Sequence, residues 1–130
     1  MRLTRWAVIL ILLSTGGSIA EERGIASFYG KERHGRKTAS GEVFSMWRLT
    51  AAHERWPFGT IVRVTRVDNG KSVVVRINDR GPGVPGRIID LSMYAGTKLK
   101  MYKEGLAQVK CEWIGFKTQT ETRTGRRRRG

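Results

Sequence analysis

Asp79 and Asp90 are the two carboxylates whose setting most suggests chemistry. The stretch from Ser72 to Ser92 reads SVVVRINDRGPGVPGRIIDLS. An apolar run of Val73, Val74, Val75 and Ile77 stops at the polar turn Asn78-Asp79-Arg80-Gly81-Pro82, and a second apolar pair, Ile88 and Ile89, ends at Asp90. Both acids thus sit just past the ends of expected strands. A strand end facing a groove can hold a carboxyl rigidly for acid–base work. The same residue types also form ordinary turns, and Asp90 could equally precede a helix capped by Ser92. Glu42 follows a glycine turn in Arg36-Lys37-Thr38-Ala39-Ser40-Gly41-Glu42, and His53 ends Thr50-Ala51-Ala52-His53. By residue type Glu42 is a solvated loop residue, and His53 beside two alanines suits a hydrogen-bonded core as well as a site. Trp47 and Trp56 flank the region as core residues or as platforms for sugar rings.

Other chemistries find little support. His34 and His53 are the only histidines and Cys111 is the only cysteine, so a zinc site with three or four spaced ligands is not expected. No glycine-rich phosphate loop ends in Lys followed by Ser or Thr, and no serine sits in a nucleophile elbow. No cofactor is expected.

These residues need a scaffold, and 130 residues suit one small domain. Residues 1–20 read as a secretory signal: Arg2 and Arg5, the apolar stretch Trp6 to Leu13, then Ser18-Ile19-Ala20 at the cleavage positions. The apolar stretch falls well short of the roughly 20 residues that span a bilayer. Export to the periplasm or outside the cell is the expectation. No cysteine lies near Ala20 to carry lipid, and the lone Cys111 allows no intrachain disulfide, so packing must hold the fold. Cys111 lies in an alternating strand pattern and reads as a buried, inert thiol.

The formal net charge is +14, unevenly spread. Residues 118–130 form a polar tail ending in Arg126-Arg127-Arg128-Arg129, with no apolar pattern, and read as disordered. Between Glu21 and Thr122 there are 18 basic and 11 acidic residues, a net +7. For an exported protein, anionic wall polymer or lipid headgroups suit such a surface better than nucleic acid. No oligomer is expected.

Residues 21–117 form one block. Gly24 to Tyr29 reads as a strand, Lys31 to Gly41 as a polar loop, and Thr50 to Glu54 as one helical turn stopped by Pro57. Gly59 to Val67 alternates apolar and polar, Asp68-Asn69-Gly70 is a hairpin turn, and Ser72 to Ile77 is the return strand. Ser92 to Met101 suits a short helix and Leu106 to Phe116 a closing strand. The pattern is mainly β: a small closed barrel of about five strands with helical insertions.

The motifs Gly24-Ile-Ala-Ser-Phe-Tyr-Gly30, His34-Gly-Arg-Lys-Thr-Ala-Ser-Gly-Glu42, Leu49-Thr-Ala-Ala-His53 and Pro57-Phe-Gly-Thr60 occur in that order. They are followed by Val62-Arg-Val-Thr65, Val73-Val-Val-Arg-Ile-Asn-Asp-Arg-Gly-Pro82 and Arg87-Ile-Ile-Asp-Leu-Ser92. Together they resemble the rare lipoprotein A family of bacterial lytic transglycosylases, over Gly24 to Trp113. The resemblance implies a six-stranded double-psi β-barrel with a groove across one face. It implies a lyase that cuts the β-1,4 bond from N-acetylmuramic acid to N-acetylglucosamine in peptidoglycan, leaving a 1,6-anhydro end and preferring strands without stem peptides. By motif, Glu42, His53 and Asp79 match the family's functional positions, and Asp90 matches a groove aspartate of the related expansins and barrel endoglucanases. Tyr29, Thr38, Asn78 and Arg80 lie in the same motifs and are expected at the substrate, Arg80 with its charge turned from the acid. The chain departs from the family in lacking both the lipid-bearing cysteine and a C-terminal glycan-binding repeat.

In such a reaction the sugar's own C6 hydroxyl attacks, so one carboxyl can first protonate the leaving oxygen and then take the hydroxyl proton. Asp79 is expected to do both, its pKa raised by Asp90 or Glu42, with His53 orienting or hydrogen-bonding it. The alternatives are a non-catalytic, expansin-like module that loosens the wall by binding glycan, and a secreted basic protein that binds nucleic acid or membrane through its tail.

Overall fold

The computed structural model describes residues 20–118. The segment expected to direct export, apart from Ala20, and the basic tail, apart from Thr118, lie outside the described residues. Six strands form in order: β1 (Glu21–Tyr29), β2 (Thr50–His53), β3 (Thr60–Arg66), β4 (Ser72–Asp79), β5 (Arg87–Ser92) and β6 (Leu106–Phe116). A one-turn 3-10 helix covers Lys31–Arg33, and helix α1 covers Met93–Lys98.

The strands close into a barrel in the order β1-β5-β2-β4-β3-β6. β1 with β5 and β2 with β4 are parallel; every other pair is antiparallel. The interior is built by alternation. Val62 and Val64 of β3, Val73, Val75 and Ile77 of β4, and Val109 and Cys111 of β6 point inward. Burial pushes the Cys111 thiol pKa up to about 12, as an inert core thiol requires.

The β3–β4 hairpin turns at Asn69-Gly70, with Gly70 at φ 69° and the Arg66 N–H donating to Lys71 O at 2.8 Å. Ser92 caps α1, its Oγ accepting from the Ala95 N–H at 3.3 Å and donating to Arg48 O at 2.6 Å. A Cβ at Gly96 would meet Phe28 Cγ at 2.9 Å, so glycine there lets α1 sit directly on β1.

Two expectations fail here. Thr50 to Glu54 is not a helical turn: Thr50–His53 is a strand whose four residues are all buried between β4 and β5. A strand covered on both faces shows no alternation, and its pairing with distant strands overrides local propensity. Asp90 does not follow a strand but lies within β5.

Candidate active site

The register places four residues in one row across neighbouring strands. Asp79 of β4 pairs with Ala52 of β2, Ala52 with Asp90 of β5, and Asp90 with Ser27 of β1. Paired residues share a face of the sheet. The adjacent row, Ile77, Ala51 and Leu91, belongs to the barrel interior, so the acidic row faces outward. Asp79 joins the row through an irregularity: the register shifts between Ala51 and Ala52, leaving Asn78 as the extra residue of β4. Such a bulge re-aims the side chain that follows it.

The segment between β1 and β2 folds over this face. Gly41, at φ 84°, turns the chain so that Thr38 N–H reaches Glu42 O at 2.8 Å. Ala39 N–H donates to Asp79 Oδ1 at 2.9 Å, and Ser40 N–H to Asn78 O at 3.3 Å. Arg80 N–H donates to the same Asp79 oxygen at 2.8 Å. Two backbone donors thus fix the orientation of the Asp79 carboxyl. Beside it opens a cavity of about 440 Å³ lined by Asp79, Thr38, Phe44, Glu32 and the cations Arg33, Arg36 and Lys37. That volume lies within the usual range for small-ligand pockets.

Asp90 accepts a hydrogen bond from Ser27 Oγ at 3.2 Å. Burial pushes its pKa up to about 6; Ser27, Arg33 and Arg87 oppose the rise and the Asp79 charge adds to it. Tyr29 packs against Phe44 with ring centroids 4.7 Å apart and the rings tilted by 46°, and both pack with Ala52. Burial, then the charges of Asp79 and Asp90, push the Tyr29 phenol well above its ordinary value. Its hydroxyl is buried and finds no partner among the described residues.

Glu42 is not a solvated loop residue. It is 7 % exposed and Oε1 pairs with the Arg76 guanidinium, while Oε2 has no partner among the described residues. Thr38 Oγ1 and Ser40 Oγ share a 2.8 Å hydrogen bond. Asn78 is buried with its side-chain oxygen likewise unpartnered.

Two expectations need correction. His53 does not hydrogen-bond Asp79. It follows Ala52 on β2 and therefore projects to the opposite face of the sheet, where Nε2 meets Glu22 Oε2 at 2.8 Å. Of the residues expected at the substrate, Thr38 lines the cavity and Tyr29, Asn78, Arg80 and Asp90 do not; Arg80 Nη1 instead donates to the carbonyls of His53 (3.1 Å) and Trp56 (2.8 Å). Its charge is thus held on the 53–56 turn. Of the two flanking tryptophans, Trp56 is core and Trp47 is 61 % exposed.

The sequence reading missed Glu22, Ser27, Ala52 and Arg76. For the first two a signal existed: period two from the interior residue Ala26 puts Glu22 inside, and period two from Tyr29 puts Ser27 on its face. Among the described residues no cluster of three or more His, Cys, Asp or Glu is arranged to hold a metal ion.

Known proteins resemble this chain to different degrees. The chain is 49 % identical over 102 residues to the endolytic peptidoglycan transglycosylase RlpA of Vibrio cholerae, covering 78 % of this chain and 39 % of that protein. It is 52 % identical over 91 residues to the protein of that name from Pseudomonas aeruginosa, covering 70 % and 27 %. It is 56 % identical over 86 residues to a probable RlpA from Synechocystis, covering 66 % and 27 %. The chain therefore spans well under half the length of these relatives. Among solved structures, the Streptomyces papain inhibitor superposes with a TM-score of 0.61 at 21 % identity, over 76 % of this chain and 96 % of the inhibitor. The expansin of Clavibacter michiganensis gives 0.60 at 19 % identity, over 75 % of this chain and 52 % of the expansin. These two likenesses concern the barrel alone. The lytic transglycolase family matches residues 21–111, and the chain belongs to it: a six-stranded double-psi β-barrel of the rare lipoprotein A type.

Proposed function

We propose that this chain is an endolytic peptidoglycan lytic transglycosylase. The observation that carries the reading is the outward row of Asp79, Ala52, Asp90 and Ser27, with two carboxyls flanking an alanine. Two interstrand steps separate the Cα atoms of the acids by roughly 10 Å, and Tyr29 and Phe44 pack on the buried Ala52 between them.

The two carboxyls divide the work that one was expected to do. Asp90, with its pKa raised to about 6, carries a proton into the neutral range and gives it to the glycosidic oxygen as the C1–O bond breaks. The C6 hydroxyl of the same muramic acid closes on C1, and its proton passes to Asp79. Water is not consumed, and the products are a 1,6-anhydro end and a free 4-hydroxyl. Thr38 lines the cavity beside Asp79, and the Tyr29 hydroxyl and Asn78 side-chain oxygen, buried and without a partner among the described residues, are the hydrogen-bonding groups assigned to the substrate.

The family resemblance supports a preference for glycan stripped of stem peptides. The export segment supports a place in the periplasm or outside the cell. The basic tail supports salt-sensitive adhesion to anionic wall polymer or membrane. Digestion of purified peptidoglycan, with and without stem peptides, followed by mass spectrometry tests the activity. New anhydro-muramic ends are expected, most on the stripped glycan. Glycan bound with no new ends would replace the enzyme by an expansin-like binding module.

A further inference from the structure

His53 is fully enclosed, 1 % exposed, yet every polar atom of its ring is engaged. Nδ1 accepts the N–H of Arg55 at 3.0 Å and of Trp56 at 2.9 Å. A nitrogen accepting two N–H groups carries no proton, so the ring holds its proton on Nε2 and donates it to Glu22. The ring is then neutral. Burial lowers its pKa, which agrees, although Glu22 opposes the shift. The Glu22 carboxylate is completed by Arg55 Nη2 at 3.1 Å, and the Trp56 indole stacks on the imidazole at 4.4 Å and 10°.

The Nδ1 contacts bind the turn that follows β2. Acceptance from the N–H groups two and three residues on is what an Asn or Asp side chain does when it closes a turn. The carbonyls of His53 and Trp56, thus presented together, receive Arg80 Nη1. The Arg80 guanidinium lies over the Phe58 ring at 3.9 Å. Arg80 is the residue after Asp79, and its N–H is one of the two donors on Asp79 Oδ1. A continuous path therefore runs from Glu22 through His53, the turn and Arg80 to the Asp79 carboxyl, starting on the side of the sheet away from the substrate and ending on the substrate face.

We propose that His53 is a positioning residue: neutral and bonded to Glu22, it shapes the 53–56 turn that holds Arg80 and so orients Asp79, and it exchanges no proton with substrate. The proposal rests on the reading of Asp79 as the acid–base group. It makes Glu22 and Arg80 parts of the same device.

Asparagine offers the test, because its Oδ1 occupies the place of Nδ1 and titrates nowhere. His53→Asn, His53→Gln, His53→Ala and Glu22→Gln are compared for kcat and KM on stripped glycan and for exchange of the Arg55 and Trp56 amide protons. Nitrogen NMR of the unaltered protein reads the ring tautomer. Expected are an Nε2–H ring unchanged by glycan, and slow amide exchange retained in His53→Asn and Glu22→Gln but lost in the alanine and glutamine variants of His53. The kcat of His53→Asn should stay within about threefold of the unaltered protein, while His53→Ala and His53→Gln fall at least about tenfold with KM little changed. A His53→Asn protein that keeps its turn yet is as inactive as His53→Ala would overturn the proposal, as would a ring protonated on Nδ1 or one whose tautomer changes with glycan. Absence of cleavage by the unaltered protein would overturn the transglycosylase reading and the last link to Asp79, while the tautomer and amide exchange would still decide what His53 does to the turn.

Discussion

Two arginines of similar burial show how differently the ends of this barrel are finished. Arg66, with a side chain 10 % exposed, is saturated: Nε and Nη2 meet Asp68 at 2.6 and 3.1 Å, and Nη1 donates to the carbonyls of Leu99 and Lys100 at 3.1 and 2.9 Å. Arg76, 13 % exposed, lies on the groove face opposite Thr50 and pairs with Glu42. Around it the bonding is incomplete. Glu42 Oε2, Thr50 Oγ1, Asn78 Oδ1 and the Tyr29 hydroxyl are all buried without a partner among the described residues. Buried polar atoms are nearly always bonded, so a group of exceptions calls for an explanation such as ligand or water. The Arg66 end is architecture, closed on itself. The groove end keeps hydrogen-bonding capacity in reserve.

The largest effect expected from this contrast is on turnover. Asp79→Asn keeps shape and removes the ionisable group, and should lower turnover by at least about a hundredfold. Its melting temperature should stay close to that of the unaltered protein. Near-normal activity in the folded variant would move the proton-accepting role from Asp79 to another group such as Glu42.

Arg66→Met should do the reverse. It strands the Lys100 carbonyl, leaves that of Leu99 to Asn69 Nδ2 at 3.3 Å, and should lower the melting temperature by several degrees, while activity per folded molecule is unchanged. A loss of activity without a loss of stability would erase the distinction between the two ends.

Asp90→Asn sharpens it from the other side. A carboxyl with its folded pKa raised from 3.8 to about 6 favours the folded state most below 3.8 and loses that contribution as pH rises through 6. At neutral pH the ionised group is therefore a burden, discounted for partial exposure to on the order of 1–2 kcal/mol. Asp90→Asn should be more stable by that amount in urea titrations at neutral pH, with the gain fading toward pH 3.8, and should turn over slowly. In the unaltered protein turnover should fall as pH rises above about 6. A stability gain equal at all pH values would detach it from this titration. The smallest effect is expected of Tyr29→Phe, which removes an unpartnered hydroxyl: stability unchanged or slightly raised, turnover reduced severalfold. Loss of stability instead would show that the hydroxyl has a structural partner.

How far the sequence disclosed this depended on the range of the interaction. β6 is legible from Leu106 to Phe116, because a long alternating strand carries its own period. The β3–β4 hairpin is legible from Asp68-Asn69-Gly70, because turn chemistry is local. β2 is not, since four residues buried on both faces leave neither period nor boundary. Glu42 looks solvated because its partner Arg76 lies 34 positions on. Asp79, Asp90 and His53 stand out as residue types in a recognisable motif. Which way His53 faces depends on β2 being a strand, and that could not be read from Thr50-Ala51-Ala52-His53. The bulge at Asn78 and the unpartnered groove atoms are properties of the assembled sheet and have no local trace.

The acidic row has a further consequence, for timing. Its members come from β1, β2, β4 and β5, and the Ser27–Asp90 contact alone joins residues 63 apart in the chain. Neither the β3–β4 hairpin nor any single parallel pair contains both acids with the alanine between them. Contacts of such separation form late, after the loop entropy of the intervening chain has been overcome. The acidic row is consequently among the last features to mature. On the proposed reading a newly made or partly unfolded chain is inert, and chemical competence arrives only with closure of the barrel.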